Sequence, residues 1–323
     1  MGPNAQLQAY AHASASFAWR ADAAILRVEL DSDLKAAYEE VRSGKGVVLV
    51  RGLPVDGTLE QFSAAVWEIG RRFGAALSQN AQGELISHVI DATAEDPTPR
   101  MYRSNLELRP HNDITAMIAL ACWQKARSGG ASVLVSGVTV HDEIRRRAPE
   151  LLAPLYRGYH YHRLGEEGAD EESTTPYTVP VFSIIKNQLS CRYQRAGIAA
   201  GHRSRGVPLT AEDIAAFNLF DEIANAPENR LAFHLERGEM VVINNYTVMH
   251  ARSQFANHPE PERQRRLVRL WLDAPGFRDV PREFNLFKSN GVPPQSGKRA
   301  TYDFRKLYAE DPLGSGGVPN IDV

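Results

Sequence analysis

Residues 240–272 read MVVINNYTVMHARSQFANHPEPERQRRLVRLWL. Two apolar runs, Glu239 to Asn244 and Arg265 to Leu272, have the β-branched composition of strands. Between them stands a lone histidine, His250, at the head of His250-Ala251-Arg252-Ser253-Gln254-Phe255. In the second run, arginines interrupt the apolar pattern. Arg265 and Arg269 share one face of a strand with Leu267 between them, while Arg266, Val268 and Leu270 take the other. A solvated basic stripe is the ordinary fate of such a run. Here Leu267, Val268, Leu270, Trp271 and Leu272 mark a buried strand, in which an unpaired guanidinium is costly. A buried arginine wants a carboxylate, which it recognises with two parallel hydrogen bonds.

Upstream lies a second short motif, His111-Asn112-Asp113. Residues two apart on a strand project to the same face, so a neutral imidazole and a carboxylate can bind one metal from adjacent corners. With His250 this makes two histidines and one carboxylate, the facial ligand set of non-haem iron sites, which leaves other coordination positions open. The plain alternatives are a hydrogen-bonded pair near a strand end and a histidine satisfied by backbone. A motif of similar form, His160-Tyr161-His162 followed by Asp170, lacks an arginine cluster and sits beside an acidic loop. A structural or substrate-proximal role is expected there.

The rest of the chain is compatible with an enzyme of ordinary composition. It has 323 residues, 43% of them apolar, enough to bury a sizeable core. With 37 basic against 39 acidic residues, no global field points to nucleic acid or an anionic membrane. Cys122 and Cys191 are too few for a disulfide framework, which fits a reducing cytoplasm. The N-terminal stretch lacks the layout of a signal peptide, and Gln6 stands where myristoylation wants Ser or Thr. No apolar run approaches a membrane span. Helices are expected over 32–43, Thr58 to about Phe73, Val140 to Tyr156 and Thr210 to about Ala224. Strands are expected over 46–52, 85–90, 114–120, 132–136, 179–185 and 189–193, besides the two in the opening stretch. Residues 91–100 read as a loop, 165–176 as an acidic loop of the kind that is mobile or acts as a lid, with 165–178 expected to close over the substrate, and no element is assigned past 275. There is no strand–helix alternation and no Gly-rich phosphate fingerprint, so a mixed protein on a mostly antiparallel sheet is expected.

The order H-x-D, Gly-Gly-x-Ser, the distal histidine and Arg-x-x-x-Arg resembles the taurine dioxygenase and clavaminate synthase-like family, across about residues 45 to 275. These are Fe(II)/2-oxoglutarate-dependent oxygenases. The resemblance implies a mixed α/β fold with a mostly β core, a double-stranded β-helix or jelly roll. It adds flanking helices and an insertion, about 157–235, before the distal histidine, all in one oxygenase domain spanning 1–323. It implies His111, Asp113 and His250 as iron ligands. It also implies that Ser132 and Arg265 hold the far carboxylate of 2-oxoglutarate, with Arg269 on the co-substrate or an anionic substrate. Adjacent Arg266 leaves a one-residue ambiguity, and Ser132 has a plain reading as a turn hydroxyl. Glu107, Arg103 and Arg252 are the candidate substrate contacts.

The implied activity consumes O2 and 2-oxoglutarate, releases succinate and CO2, and oxidises a C–H bond, most simply to an alcohol. Desaturation and ring formation remain open. Halogenation is disfavoured because Asp113 is present. The expected partner is a small polar molecule such as an amino acid, sulfonate, carboxylate or natural-product intermediate, with no nucleic acid or membrane partner and with a homo-oligomer left open. Two rivals stand beside this reading: a non-catalytic jelly roll that binds metal and 2-oxoglutarate, and a zinc hydrolase using the same triad.

Overall fold

The computed structural model describes residues 17–96 and 99–296. Residues 1–16, where no leader or myristoylation pattern is read, and residues 97–98 of the loop read at 91–100 lie outside the described residues. Along the chain come β1 (Leu26–Glu29), α1 (Leu34–Ser43), β2 (Val47–Arg51), α2 (Leu59–Gly70), β3 (Ala75–Ala76) and β4 (Ile86–Val89). Next are β5 (Leu108–His111), β6 (Met117–Gln124), β7 (Ser128–Gly129) and β8 (Ser132–Ser136). Helices α3 (Gly137–Arg147) and α4 (Leu152–Arg157) are followed by β9 (Phe182–Ile185), β10 (Gln188–Cys191), α5 (Arg195–Arg205) and α6 (Ala211–Asn225). The last strands are β11 (Arg230–Phe233), β12 (Met240–Asn244), β13 (Val248–Arg252), β14 (Phe255–Ala256) and β15 (Arg266–Asp273).

Two sheets carry the architecture. The larger runs β1-β2-β12-β6-β15-β3, with β4 also paired to β15. The smaller runs β11-β8-β13-β5. All of these pairings are antiparallel except β1 with β2. Strands β2, β12, β6 and β15 of the large sheet are buried on both faces, which is why they are nearly continuous apolar runs. Alternation sorts them. Val48, Val50, Val242 and Leu270 pack on one face with Leu34 and Val41 of α1 and Phe62 and Val66 of α2. Val47, Leu49, Val241 and Trp271 face the other way, into the core that includes Val133 and Met249 of the small sheet. The site lies on that second side.

The helix starts follow their caps. The Asp33 carboxylate accepts from Lys35 N, and Thr58 with Gln61 and Thr210 with Asp213 form capping boxes. Two expectations need correction, and other elements escaped a sequence reading. The helix read over Val140 to Tyr156 is two helices, because Pro149 has no N–H to continue α3; the first begins earlier, where Ser136 Oγ accepts from Thr139 N at 3.0 Å. The strand expected over 114–120 is β6, Met117–Gln124. Strands β11 and β13 escape a reading by alternation, since all five residues of β13 are buried. Helix α5 also escapes it, because Gly197 and Gly201 are poor helix formers. Packing explains Gly201: a Cβ there would stand 2.3 Å from the His160 carbonyl oxygen. Among the described residues no helix is long and apolar enough to cross a membrane.

Gly201→Ala therefore gains intrinsic helix propensity yet destabilises the protein by about 1–3 kcal/mol, because the contact is with backbone that cannot swing aside. Urea unfolding of the variant reports it as a lower midpoint with an unchanged slope.

Candidate active site

Cross-strand pairing brings the two distant histidines together. His250 on β13 lies opposite His111 at the end of β5, and their ring centroids are 4.2 Å apart. His111 Nδ1 is 2.8 Å from the Arg109 carbonyl. A carbonyl only accepts, so Nδ1 carries the proton and Nε2 presents its lone pair, the tautomer a metal ligand needs. Burial, with His111 adding to it, pushes the His250 pKa down to about 3, so this imidazole is neutral.

Asp113 completes the cluster by a route alternation did not foresee. The strand ends at His111, and two asparagines turn the next residues inward. Asn112 Nδ2 donates to the carbonyls of Asn245 (2.8 Å) and Val248 (3.2 Å), while its Oδ1 accepts from Tyr193 N. The Asn245 side chain grips Asp113 at both backbone groups, accepting from its N–H at 3.1 Å and donating to its carbonyl at 2.6 Å. Arg192 Nη1 donates to the same carbonyl at 2.6 Å.

The carboxylate so placed has two different oxygens. Oδ2 accepts from Arg269 Nη1 at 3.1 Å and from Trp271 Nε1 at 2.9 Å. Oδ1 faces His111 Nε2 at 3.6 Å, and His250 Nε2 stands 3.8 Å from Oδ2. Burial by itself raises the Asp113 pKa; Arg269, the two histidines and Trp271 outweigh it and hold the group well below the usual carboxylate range. One ligand atom from each of His111, Asp113 and His250 lies within 4.8 Å of the others. Two neutral imidazoles and a carboxylate at this spacing match the donor set of a divalent metal that prefers nitrogen and oxygen.

The triad lines a cavity between the two sheets. Ser132, Arg252, Arg265 and Arg269 also line it. Arg265, just before β15, is 4% exposed and Arg266 is only partly buried, so the chain enters the strand with the former turned inward. Burial pulls the Arg265 pKa down to about 10, which leaves it charged at neutral pH. Its guanidinium stacks 4.9 Å from the Phe255 ring centroid, and Nη1 has no protein partner. A buried cation with an unpaired donor calls for an anion. Arg269 is more committed: Nε donates to Gln79 Oε1 at 2.8 Å and Nη1 to Asp113, leaving Nη2 without a partner.

The remaining candidates separate. Arg252 lines the cavity, and its Nη2 donates to the carbonyls of Ser104 and Leu106, bracing the approach to β5. Arg103 and Glu107 are outside the lining, and Glu107 acts electrostatically on Arg230. His160 and His162 are not part of the metal cluster. His160 Nδ1 donates to the Thr175 carbonyl at 2.8 Å, and His162 Nδ1 accepts from Leu164 N at 2.8 Å, as a structural role requires.

Several residues that shape the site were not singled out from the sequence. Trp271 was legible in principle, since it continues the alternation of Arg265, Leu267 and Arg269. Gln79 comes from a segment with no local signal, and Arg192 from the strand read over 189–193, where nothing local marks its role. Arg100, which lines the cavity and whose Nη1 donates to Glu166 Oε1 at 2.5 Å, is visible only in three dimensions.

The comparisons agree with this geometry. The chain is 28% identical over 271 residues to the FR-33289 synthase of Streptomyces rubellomurinus, covering 81% of this chain and 79% of that protein. Its fold is similar to an asparagine oxygenase solved with Fe(II), 2S,3S-3-hydroxyasparagine and succinate. That match has a TM-score of 0.60 and 14% identity over 84% of this chain and 92% of that one. It is also similar to the non-heme iron oxygenase OrfP solved with Fe and alpha-ketoglutaric acid, with a TM-score of 0.55 and 11% identity over 74% of this chain and 80% of that one. The family model for the taurine catabolism dioxygenase TauD, TfdA family matches residues 12–271, and the chain belongs to that family.

Proposed function

We propose that this protein is an Fe(II)- and 2-oxoglutarate-dependent oxygenase that hydroxylates a C–H bond of a small polar molecule. The observation that carries the reading is one cavity lined by both a His-Asp-His cluster and a buried arginine with an unpaired donor. His111, Asp113 and His250 would hold the iron. Arg265 and Ser132 would take the far carboxylate of 2-oxoglutarate. Bound there, iron and 2-oxoglutarate supply the oxidative decarboxylation to succinate and CO2 that activates O2 for attack on carbon. The protein's own contribution is placement: Asn245 aims Asp113, the Arg109 carbonyl sets the His111 tautomer, and Arg269 with Trp271 keeps Asp113 ionised. Zinc hydrolysis needs no dicarboxylate dock and leaves Arg265 unexplained.

The finer reading extends outward from the site. The two sheets are taken as a double-stranded β-helix within one oxygenase domain, core about 45–275, in a cytoplasmic protein. Residues 157–235 are taken as an insertion that roofs the cavity. Leu164 and Gln194 line the cavity, and Glu166 fastens the acidic loop by accepting from Ala81 N and Arg100, both at 2.5 Å. An amino acid or similar small polar substrate is favoured because structurally similar oxygenases were solved with 3-hydroxyasparagine and with (3S)-hydroxy-L-Arg.

Arg265→Ala should weaken 2-oxoglutarate binding by about 2–5 kcal/mol, the usual cost of truncating a buried charged partner. Fe(II) affinity should be almost unchanged. Anaerobic titration of the iron–2-oxoglutarate charge-transfer band measures both, and an unaltered 2-oxoglutarate affinity would sink the proposal. His250→Ala should abolish the band through loss of iron. Asn245→Ala leaves all three ligands in place but frees Asp113, and should cost about 10–100-fold in Fe(II) affinity by equilibrium titration.

A further inference from the structure

Arg265 borders two cavities. The second shares Ser132, Arg265 and Leu267 with the first but none of the triad. Its other walls come from residues 124–130 and from His234-Leu235. It reaches the surface at Arg127, Ser128 and Gly129, which are exposed.

The two cavities differ in chemistry. The first is walled by Ile118, Leu120, Leu134, Val241 and Ile243 and also by the Asp113 carboxylate and three arginines with partners of their own: Arg100 on Glu166, Arg252 on the Ser104 and Leu106 carbonyls, and Arg269 on Asp113 and Gln79. The second is lined by Lys125, Arg127 and Arg265 and by no carboxylate; Glu236, bonded to Lys125 Nζ at 2.6 Å, is outside the lining. A dianion crossing the first would meet the Asp113 carboxylate and arginines already committed to other partners. In the second it passes from exposed Arg127, beside the Glu236-paired Lys125, to Arg265, and meets no carboxylate in the lining. Gly130 keeps the inner end clear: its φ is +74°, and a Cβ there would sit 3.0 Å from Arg265 Nε and 3.3 Å from Phe255 Cβ.

We propose that this second cavity is the port through which the dicarboxylate co-substrate reaches Arg265 and its dicarboxylate product leaves. The inference rests on the oxygenase reading above. It separates the two traffic routes, so the oxidised substrate uses the triad cavity while 2-oxoglutarate and succinate exchange behind it.

The test is stopped-flow association of 2-oxoglutarate with the full-length Fe(II)-loaded protein, followed anaerobically by the charge-transfer band. Arg127→Glu reverses the outer charge, Ser128→Trp plugs the surface opening, and Met101→Trp crowds the triad cavity instead. The port predicts that Arg127→Glu slows association about tenfold at low salt, with the deficit shrinking as salt rises. Ser128→Trp should slow association and dissociation together and leave the equilibrium affinity within about twofold of the parent, because a plug changes the path and not the end state. Met101→Trp should bind at the parental rate. Parental rates in both rear variants beside slow binding in Met101→Trp would overturn the port. A parent protein that forms no band overturns the co-substrate reading and the port with it.

Discussion

The structure depends on keeping one carboxylate ionised and aimed inside a low-dielectric cavity. Asp113 is 14% exposed at its side chain, and burial alone works against its charge. Its charge survives because Arg269 and Trp271 donate to one oxygen while the other remains toward His111. Breaking such a buried pair costs about 3–5 kcal/mol, since the partner charge is left behind. The same contacts that stabilise Asp113 therefore also determine which of its oxygens is available to a metal.

That constraint reaches through the fold. Arg269 and Trp271 point at Asp113 because β15 lies in the middle of the large sheet, between β6 and the short strands β3 and β4, with its even-numbered apolar residues buried against the helical layer. Gln79, which orients Arg269, donates in turn to the Leu85 and Arg269 carbonyls. Asn245 closes the arrangement from the turn just past β12, holding Asp113 at its N–H and carbonyl and donating to the Thr115 carbonyl as well. Every member of this polar network has a partner inside it, so it specifies one arrangement rather than merely tolerating burial.

Much of the site was legible in the chain because its chemistry is unusual for its surroundings. Arginines inside an apolar strand have few structural explanations, and alternation alone separates Arg265 and Arg269 from Arg266. The capped helices were legible for a local reason too, since Asp33, Thr58 and Thr210 satisfy N–H groups within their own first turns. Helix α5 was not, because Gly201 answers to the His160 carbonyl packed against it rather than to helix propensity. Strand β13 was not, because burial on both faces erases the period of two.

What the sequence determined by itself was the donor inventory and its order: two imidazoles, a carboxylate, and a pair of inward-facing arginines on one strand. Those follow from residue type and strand periodicity, which act over a few residues. Only the tertiary structure decided that His111 pairs across from His250, that Asp113 is turned in by Asn245, and that Arg265 stands between two cavities while Arg269 is spent on Asp113. Those outcomes depend on strand register and on hydrogen bonds between segments far apart in the chain, and no local pattern encodes the distance between such segments.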